Sequence, residues 1–155
     1  MARYDVGVTP PPASAKPGAI SPAISDADFE HLAAFRHALR EFLHFSEEAA
    51  LAAGVSPQQH QALLAIKGSR ARLTVGDLAG LLLIKHHSAV GLVNRMESEG
   101  LILKAEGRED RRQVLLRISA RGMRLLESLS PAHKAELARI GPALRNILTQ
   151  LEDKP

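Results

Sequence analysis

The stretch from Thr74 to Ser119 leaves few folds open to this chain. Thr74 followed three residues later by Asp77 is a capping-box pair: the hydroxyl accepts from the third amide of a helix while the carboxylate reaches back to the cap's own N–H. A helix started there buries Leu78, Leu81 and Leu82. Beyond Ile84 and Lys85 a second helix follows, in which Ala89, Leu92, Val93 and Met96 recur at helical spacing and Gly100 supplies the stop. Two short helices on a tight turn make a helix-turn-helix. Leu101 to Glu106 and Gln113 to Ser119 then read as strands on either side of Gly107-Arg108-Glu109-Asp110-Arg111-Arg112, a basic loop that stands out beside the second helix. The reading is a winged DNA-binding lobe.

Charge follows the same division. Between Ile24 and Ile66 six acids face two bases, whereas from Lys67 to Arg124 twelve bases face six acids. The basic excess therefore falls on the segment with the winged pattern, where a polyanionic partner requires it. Aromatic residues are only 3% of the chain, which disfavours the stacking platforms that hold single-stranded nucleic acid. With no cysteine, disulfides, thiolate metal sites and cysteine nucleophiles are excluded. No apolar run approaches the ~20 residues of a membrane span, and the N-terminus lacks a secretory signal core. The expectation is a cytoplasmic protein without membrane contact. A length of 155 residues suits one domain with a real core.

Residues 1–24 carry Pro10, Pro11, Pro12, Pro17 and Pro22 among Gly, Ser and Ala, the composition of an extended or disordered arm, with packing across a partner as the alternative. Residues 25–155 form the domain. Ser25 and Asp28 begin a long helix, and Phe29, Leu32, Phe35, Leu39, Phe42 and Leu43 give it an apolar face wide enough for a subunit interface before Gly54 ends it. Ser56-Pro57-Gln58-Gln59 is a second capping box with proline at the first helical position, opening a helix that presents Leu63, Leu64 and Ile66. Lys67, Arg70 and Arg72 lie in the link that follows, as phosphate contacts or as a solvated loop. Ser119 caps a further helix with Met123, Leu126 and Leu129 on its apolar side. Ser130-Pro131 kinks or restarts it, and Gly141-Pro142 marks another break before Leu144, Ile147, Leu148 and Leu151 complete the spacing. The segments 25–54 and 119–155 pack as a dimer platform, with 56–118 as the DNA-binding lobe.

This order of elements closely resembles the MarR family of bacterial transcriptional regulators, over about Ser25 to Leu151. Asp110-Arg111-Arg112, then the strand to Ile118, then Ser119-Ala120-Arg121-Gly122 is similar to the family's wing signature. Asn94-Arg95-Met96-Glu97-Ser98-Glu99-Gly100-Leu101-Ile102 is similar to the end of its recognition helix. The resemblance implies a mainly α fold with a small β wing, a winged helix-turn-helix whose N- and C-terminal helices form a dimerisation platform. It implies a homodimer on pseudo-palindromic double-stranded DNA, with one recognition helix per subunit in the major groove and each wing toward the minor groove. It also implies a small-molecule effector, of the phenolic or aromatic class, that alters the spacing of the two recognition helices and thereby releases an operator, as a repressor would.

On the second helix His86, His87, Ser88, Gly91, Asn94 and Arg95 are the candidate DNA contacts, with Ser88 and His87 toward bases or phosphate and Arg95 toward phosphate. Gly91 stands where the family commonly has a longer side chain, and it either permits close backbone approach or marks little direct readout. In the wing, Arg108, Arg111 and Arg112 are the candidate contacts, Arg111 foremost for a narrow minor groove, and Asp110 pairs with Arg112 or a neighbour to hold the loop. His37, Glu41 and His44 share one face of the first helix and are the weak candidates for a metal site, hence for a metal-responsive regulator; the same residues could line an effector pocket. No phosphate loop, nucleophile elbow or other catalytic constellation is present, and no cofactor is expected, so the reading is of a protein that is not an enzyme. The competing class is a winged-helix protein-interaction module, which has no need of a basic wing.

Overall fold

The computed structural model describes residues 24–70, 72–107 and 114–152. The proline-rich arm and the wing-tip residues Arg108, Asp110, Arg111 and Arg112 lie outside the described residues. Among the described residues five helices and three short strands follow one another as α1 Asp26–Ala52, α2 Pro57–Gly68, β1 Leu73–Thr74, α3 Val75–Leu81, α4 His86–Ser98, β2 Ile102–Glu106, β3 Val114–Ile118 and α5 Ala120–Glu152. The strands make an antiparallel sheet in the order β1-β3-β2. Leu73 pairs with Leu116 and Ile102 with Ile118.

The helix starts are those the capping residues dictate. Ser25 Oγ accepts from the Asp28 amide while Asp28 Oδ2 accepts from the Ser25 amide, and Ser56 with Gln59 and Thr74 with Asp77 repeat the exchange. Each pair satisfies amides that a helix leaves without partners, worth about 1 kcal/mol per cap. Helix ends are set by left-handed residues: Gly54 at φ +81°, Gly100 at φ +70° and, between α3 and α4, Leu83 at φ +54°. After each, an amide returns to a carbonyl five residues back, as from Ile84 to Ala79 and from Leu101 to Met96.

The contacts fall into two compact units. The first runs from Phe45 to His133 and holds the sheet, α2, α3, α4, the end of α1 and the start of α5. Its core is built from Leu63, Leu73, Leu78, Leu92, Met96, Leu101, Ile102 and Leu116, all buried, and Leu126 of α5 joins it. Leu64, expected to face inward on α2, is exposed, because Ala62, Leu63, Ala65 and Ile66 already fill the buried side of that helix. Gln59, His60 and His133 are the buried polar residues among those described. His60 of α2 is buried with its ring 4.6 Å from that of His133 on α5, which in turn meets the Phe45 ring edge-on at 5.5 Å. His133 Nδ1 donates to the Leu129 carbonyl at 2.8 Å, since a carbonyl can only accept, and its Nε2 lies 2.9 Å from Ser46 Oγ.

The second unit comprises the first part of α1, to His44, and α5 from Lys134 onward. Ile140 is buried there, while Phe29, Leu32, Leu39 and Leu43 of α1 and Leu137 and Leu148 of α5 remain exposed. Arg139 forms a two-pronged ion pair with Glu136, at 2.9 and 2.7 Å. A single helix of 33 residues, α5, replaces the several C-terminal helices expected. It runs through Ser130-Pro131 without interruption, and the break expected at Gly141-Pro142 is absent. Each proline removes one backbone bond, a local loss that the unbroken turns on either side outweigh. Among the described residues no helix is long and apolar enough to cross a membrane.

The start of α5 is the tightest junction. Ser119 Oγ accepts from the Gly122 amide at 3.0 Å and donates to the Gly100 carbonyl at 2.6 Å. Gly122 lies so close to the residue just before β2 that a β-carbon would sit 2.1 Å from the Leu101 carbonyl oxygen. Gly122→Ala should therefore cost about 3 kcal/mol of stability or more, since backbone rather than a mobile side chain has to give way; urea unfolding checks this, and an unchanged midpoint would refute the packing described. A second expectation concerns pH. Burial first, and repulsion from His133 second, hold the His60 imidazole below its ordinary value near 6.5. The unfolded chain then binds a proton that the folded chain resists, so stability is full above pH 6.5 and declines as pH falls below it toward the depressed value. Thermal unfolding at pH 7.5, 6.5 and 5.5 should show this decline, and His60→Leu should flatten it.

Candidate nucleic-acid interface

The helix-turn-helix is anchored from both sides. Leu78 and Ala79 of α3 and Ala89, Leu92, Val93 and Met96 of α4 face the core, so α4 presents one fixed outer surface. The end of α4 is tied to the start of α2, because Gln59 Nε2 donates to Glu99 Oε2 at 2.6 Å while the same side chain caps α2 through its Oε1. The turn itself is unusual in using Leu83, 92% exposed, at a left-handed position that glycine ordinarily fills.

His86, His87, Ser88, Asn94 and Arg95 are all exposed on α4, as the helical spacing requires, and Gly91 is half-buried among them. With about 100° per residue, His87, Gly91 and Asn94 lie near the middle of the outer face, Ser88 and Arg95 on one flank and His86 with Val90 on the other. Arg95 extends back along the helix: its Nη1 lies 3.6 Å from where a Gly91 β-carbon would be. That is ordinary contact, so a side chain at 91 is not excluded by the fold, and the surface over Gly91 carries a guanidinium instead.

The inner flank of α4 borders a groove of about 460 Å³ lined by Thr74, Val75 and Gly76 at the start of α3, His86, Val90, Val93 and Asn94 of α4, and Lys104 and Val114 of the sheet. Lys104, which the sequence reading did not single out, is among the lining residues. Its Nζ donates to Asn94 Oδ1 at 2.7 Å and forms an ion pair with Glu97 at 2.6 Å, joining β2 to the outer face of α4. Asn94 is thereby oriented with its amide oxygen occupied and its NH₂ left to donate. Its partner lies ten residues away on a strand, and only the register of β2 beside α4 reveals the pair. Arg108, Arg111, Arg112 and Asp110 belong to the loop between β2 and β3, outside the described residues.

The weak metal candidates are not gathered into a site. His37 Nε2 lies 3.8 Å from Glu41, both side chains well exposed, and no group of three or more metal-ligating residues occurs among the described residues.

Three comparisons bear on this geometry. The MarR family model matches residues 53–113, the segment that follows α1 and ends just before β3. No curated protein sequence matches the chain. Among solved structures, AbsC of Streptomyces coelicolor, a MarR family transcriptional regulator, is similar with a TM-score of 0.68 at 20% identity, over 85% of this chain and 91% of that one. A mutant MepR of Staphylococcus aureus bound to an oligodeoxyribonucleotide is similar with a TM-score of 0.60 at 18% identity, over 80% and 98%. CouR of Rhodococcus jostii bound to p-coumaroyl-CoA gives 0.64 at 18% identity, over 84% and 98%. At these identities the structural likenesses establish the fold, a mainly α winged helix-turn-helix.

Leu83 offers a test of how the turn is held. Leu83→Gly should stabilise the protein by about 1 kcal/mol, because the left-handed conformation costs a leucine more than a glycine and an exposed side chain forfeits no packing. Thermal unfolding measures it, and a destabilised variant would show that the Leu83 side chain has a structural contact in solution.

Proposed function

We propose, from a chain whose residues 53–113 are MarR-family sequence set within the fold of that family's transcriptional regulators, that it is a ligand-responsive repressor binding pseudo-palindromic double-stranded DNA as a homodimer. The family is one of transcription regulators, not enzymes. The observation that carries the DNA-binding reading is the outer face of α4. It sets His87, Ser88, Asn94 and Arg95 on one exposed surface, rigidly backed by the core and joined through Lys104 to the wing strand. A helix of this kind enters the major groove with its N-terminal residues at base edges, while Arg95 reaches phosphate. Arg108, Arg111 and Arg112 extend the contact toward the minor groove, and Asp110 holds the loop. The bound oligodeoxyribonucleotide in the MepR structure supports this role for the fold.

The homodimer is supported by what the second unit leaves open. Phe29, Leu32, Leu39 and Leu43 on α1, with Leu137 and Leu148 on α5, are large apolar side chains left exposed, the surface a subunit interface buries. A two-fold partner covers it and sets two recognition helices at one separation. An effector needs only a modest difference in affinity between that arrangement and another to release the operator. The CouR complex with p-coumaroyl-CoA supports a small aromatic acid derivative as the effector class, and the protein acts in the cytoplasm, where its operator is.

A gel shift with the promoter DNA beside its own gene, at two salt concentrations, tests the reading. Specific binding that weakens steeply with salt is the expected result, and no binding at low salt would reject it in favour of a protein-interaction module. Arg111→Ala should weaken the complex and flatten the salt slope by about one unit. An unchanged slope would remove Arg111 from the interface.

A further inference from the structure

A second basic cleft lies apart from the recognition groove. Lys67 in the last turn of α2, Arg70 and Arg72 in the link to β1, and Arg117 on β3 converge on a cavity of about 280 Å³ floored by Ile66, Leu116 and Ile118. None of these four cations has an ion pair with any described residue. Among the described residues none lines both this cleft and the groove beside α4.

The sheet register fixes its place. Thr74 pairs with Leu115 and Leu73 with Leu116, so the chain preceding Leu73 passes alongside Arg117 and Ile118, where β3 leads into α5. The recognition groove includes Val114, at the opposite, wing end of the same strand. Along β3, Val114 of the groove and Arg117 of the cleft are on the order of 10 Å apart at about 3.3 Å per residue, while Lys104 of the groove pairs directly with Leu116 on the floor of the cleft.

Four like charges around one cavity repel one another, and the repulsion is relieved by an anion that enters between them. Three of the four are arginines, whose forked donors match phosphate oxygens two at a time. The buried apolar floor keeps these side chains from folding inward. We propose that this cleft is a phosphate-binding site distinct from the recognition groove. Its ligand carries more than one phosphate charge. The same chemistry is offered by the DNA backbone beyond the half-site and by a phosphorylated small molecule.

The test uses the full-length protein and the double variant Arg72→Gln/Arg117→Gln, with Arg72→Lys/Arg117→Lys as the charge-conserving control. Circular dichroism and ligand-free melting verify that each is folded; should the glutamine pair fail to fold, Lys67→Gln/Arg70→Gln on the exposed rim takes its place. In one arm, binding is titrated with salt on a minimal footprinted promoter duplex and on the same duplex extended by about ten base pairs at each end. A slope flattened by about two units on the long duplex alone, restored by the lysines, supports the site and assigns it to flanking DNA. In the other arm, tripolyphosphate is the probe. A rise in melting temperature of about 5–10 °C at 100 times its dissociation constant in the wild type, lost in the glutamine variant, supports the site and assigns it to a free phosphorylated ligand. A variant that matches the wild type in both arms overturns the proposal. The tripolyphosphate arm does not require operator binding, so its failure is separable from failure of the DNA-binding reading.

Discussion

Where α4 ends, the chain turns through Glu99, Gly100 and Leu101 into β2, and the last two of these receive the start of α5. Gly100 supplies the left-handed turn and accepts a hydrogen bond from Ser119 Oγ. Leu101 returns its amide to Met96 and accepts the Ser119 amide at its own carbonyl, against which Gly122 is pressed. Four elements, α4, β2, β3 and α5, thus meet through one serine hydroxyl and one missing β-carbon. The orientation of the recognition helix relative to the sheet is fixed there, and the Schellman turn at Gly100 cannot shift without dislodging the start of α5. The spacing Ser119-Ala120-Arg121-Gly122 is therefore a packing requirement before it is anything else.

Much of this was legible because it is local. A capping box operates over three residues, so Ser25-Asp28, Ser56-Gln59 and Thr74-Asp77 announce helix starts without knowledge of the fold, and the glycines at 54 and 100 announce ends. The four buried positions of α4 follow from period alone. What was not legible depends on partners distant in sequence. β1 is two residues long and shows no alternation; it exists because Leu73 and Thr74 meet β3. Leu64 is apolar like its neighbours but falls on the side of α2 away from Ala62, Leu63, Ala65 and Ile66, and that side is settled only by what α2 packs against. The His60 and His133 rings are brought together by α2 and α5, and nothing about either histidine alone distinguishes it from a surface residue. Gly141-Pro142 reads as a break only if local propensity prevails over a long helix, and here it does not.

The candidate interface divides along the same line. Exposure of His86, His87, Ser88, Asn94 and Arg95 follows from the helix period. The role of Lys104 does not, since it depends on β2 running beside α4. Gly91 is explained in part: the Arg95 guanidinium lies over it, so the helix surface at that point is charged although its own residue has no side chain.

The Lys104 bridge has a mechanical meaning. With one ammonium held by Asn94 on one turn of α4 and Glu97 on the next, the strand that carries the wing is pinned to the helix at two points about a turn apart. Sliding or pivoting one against the other breaks a charge-assisted bond in each direction. Helix and strand should consequently travel as one jaw. In the proposed function, release from DNA therefore moves helix and strand together as one unit rather than retuning the grip of either alone.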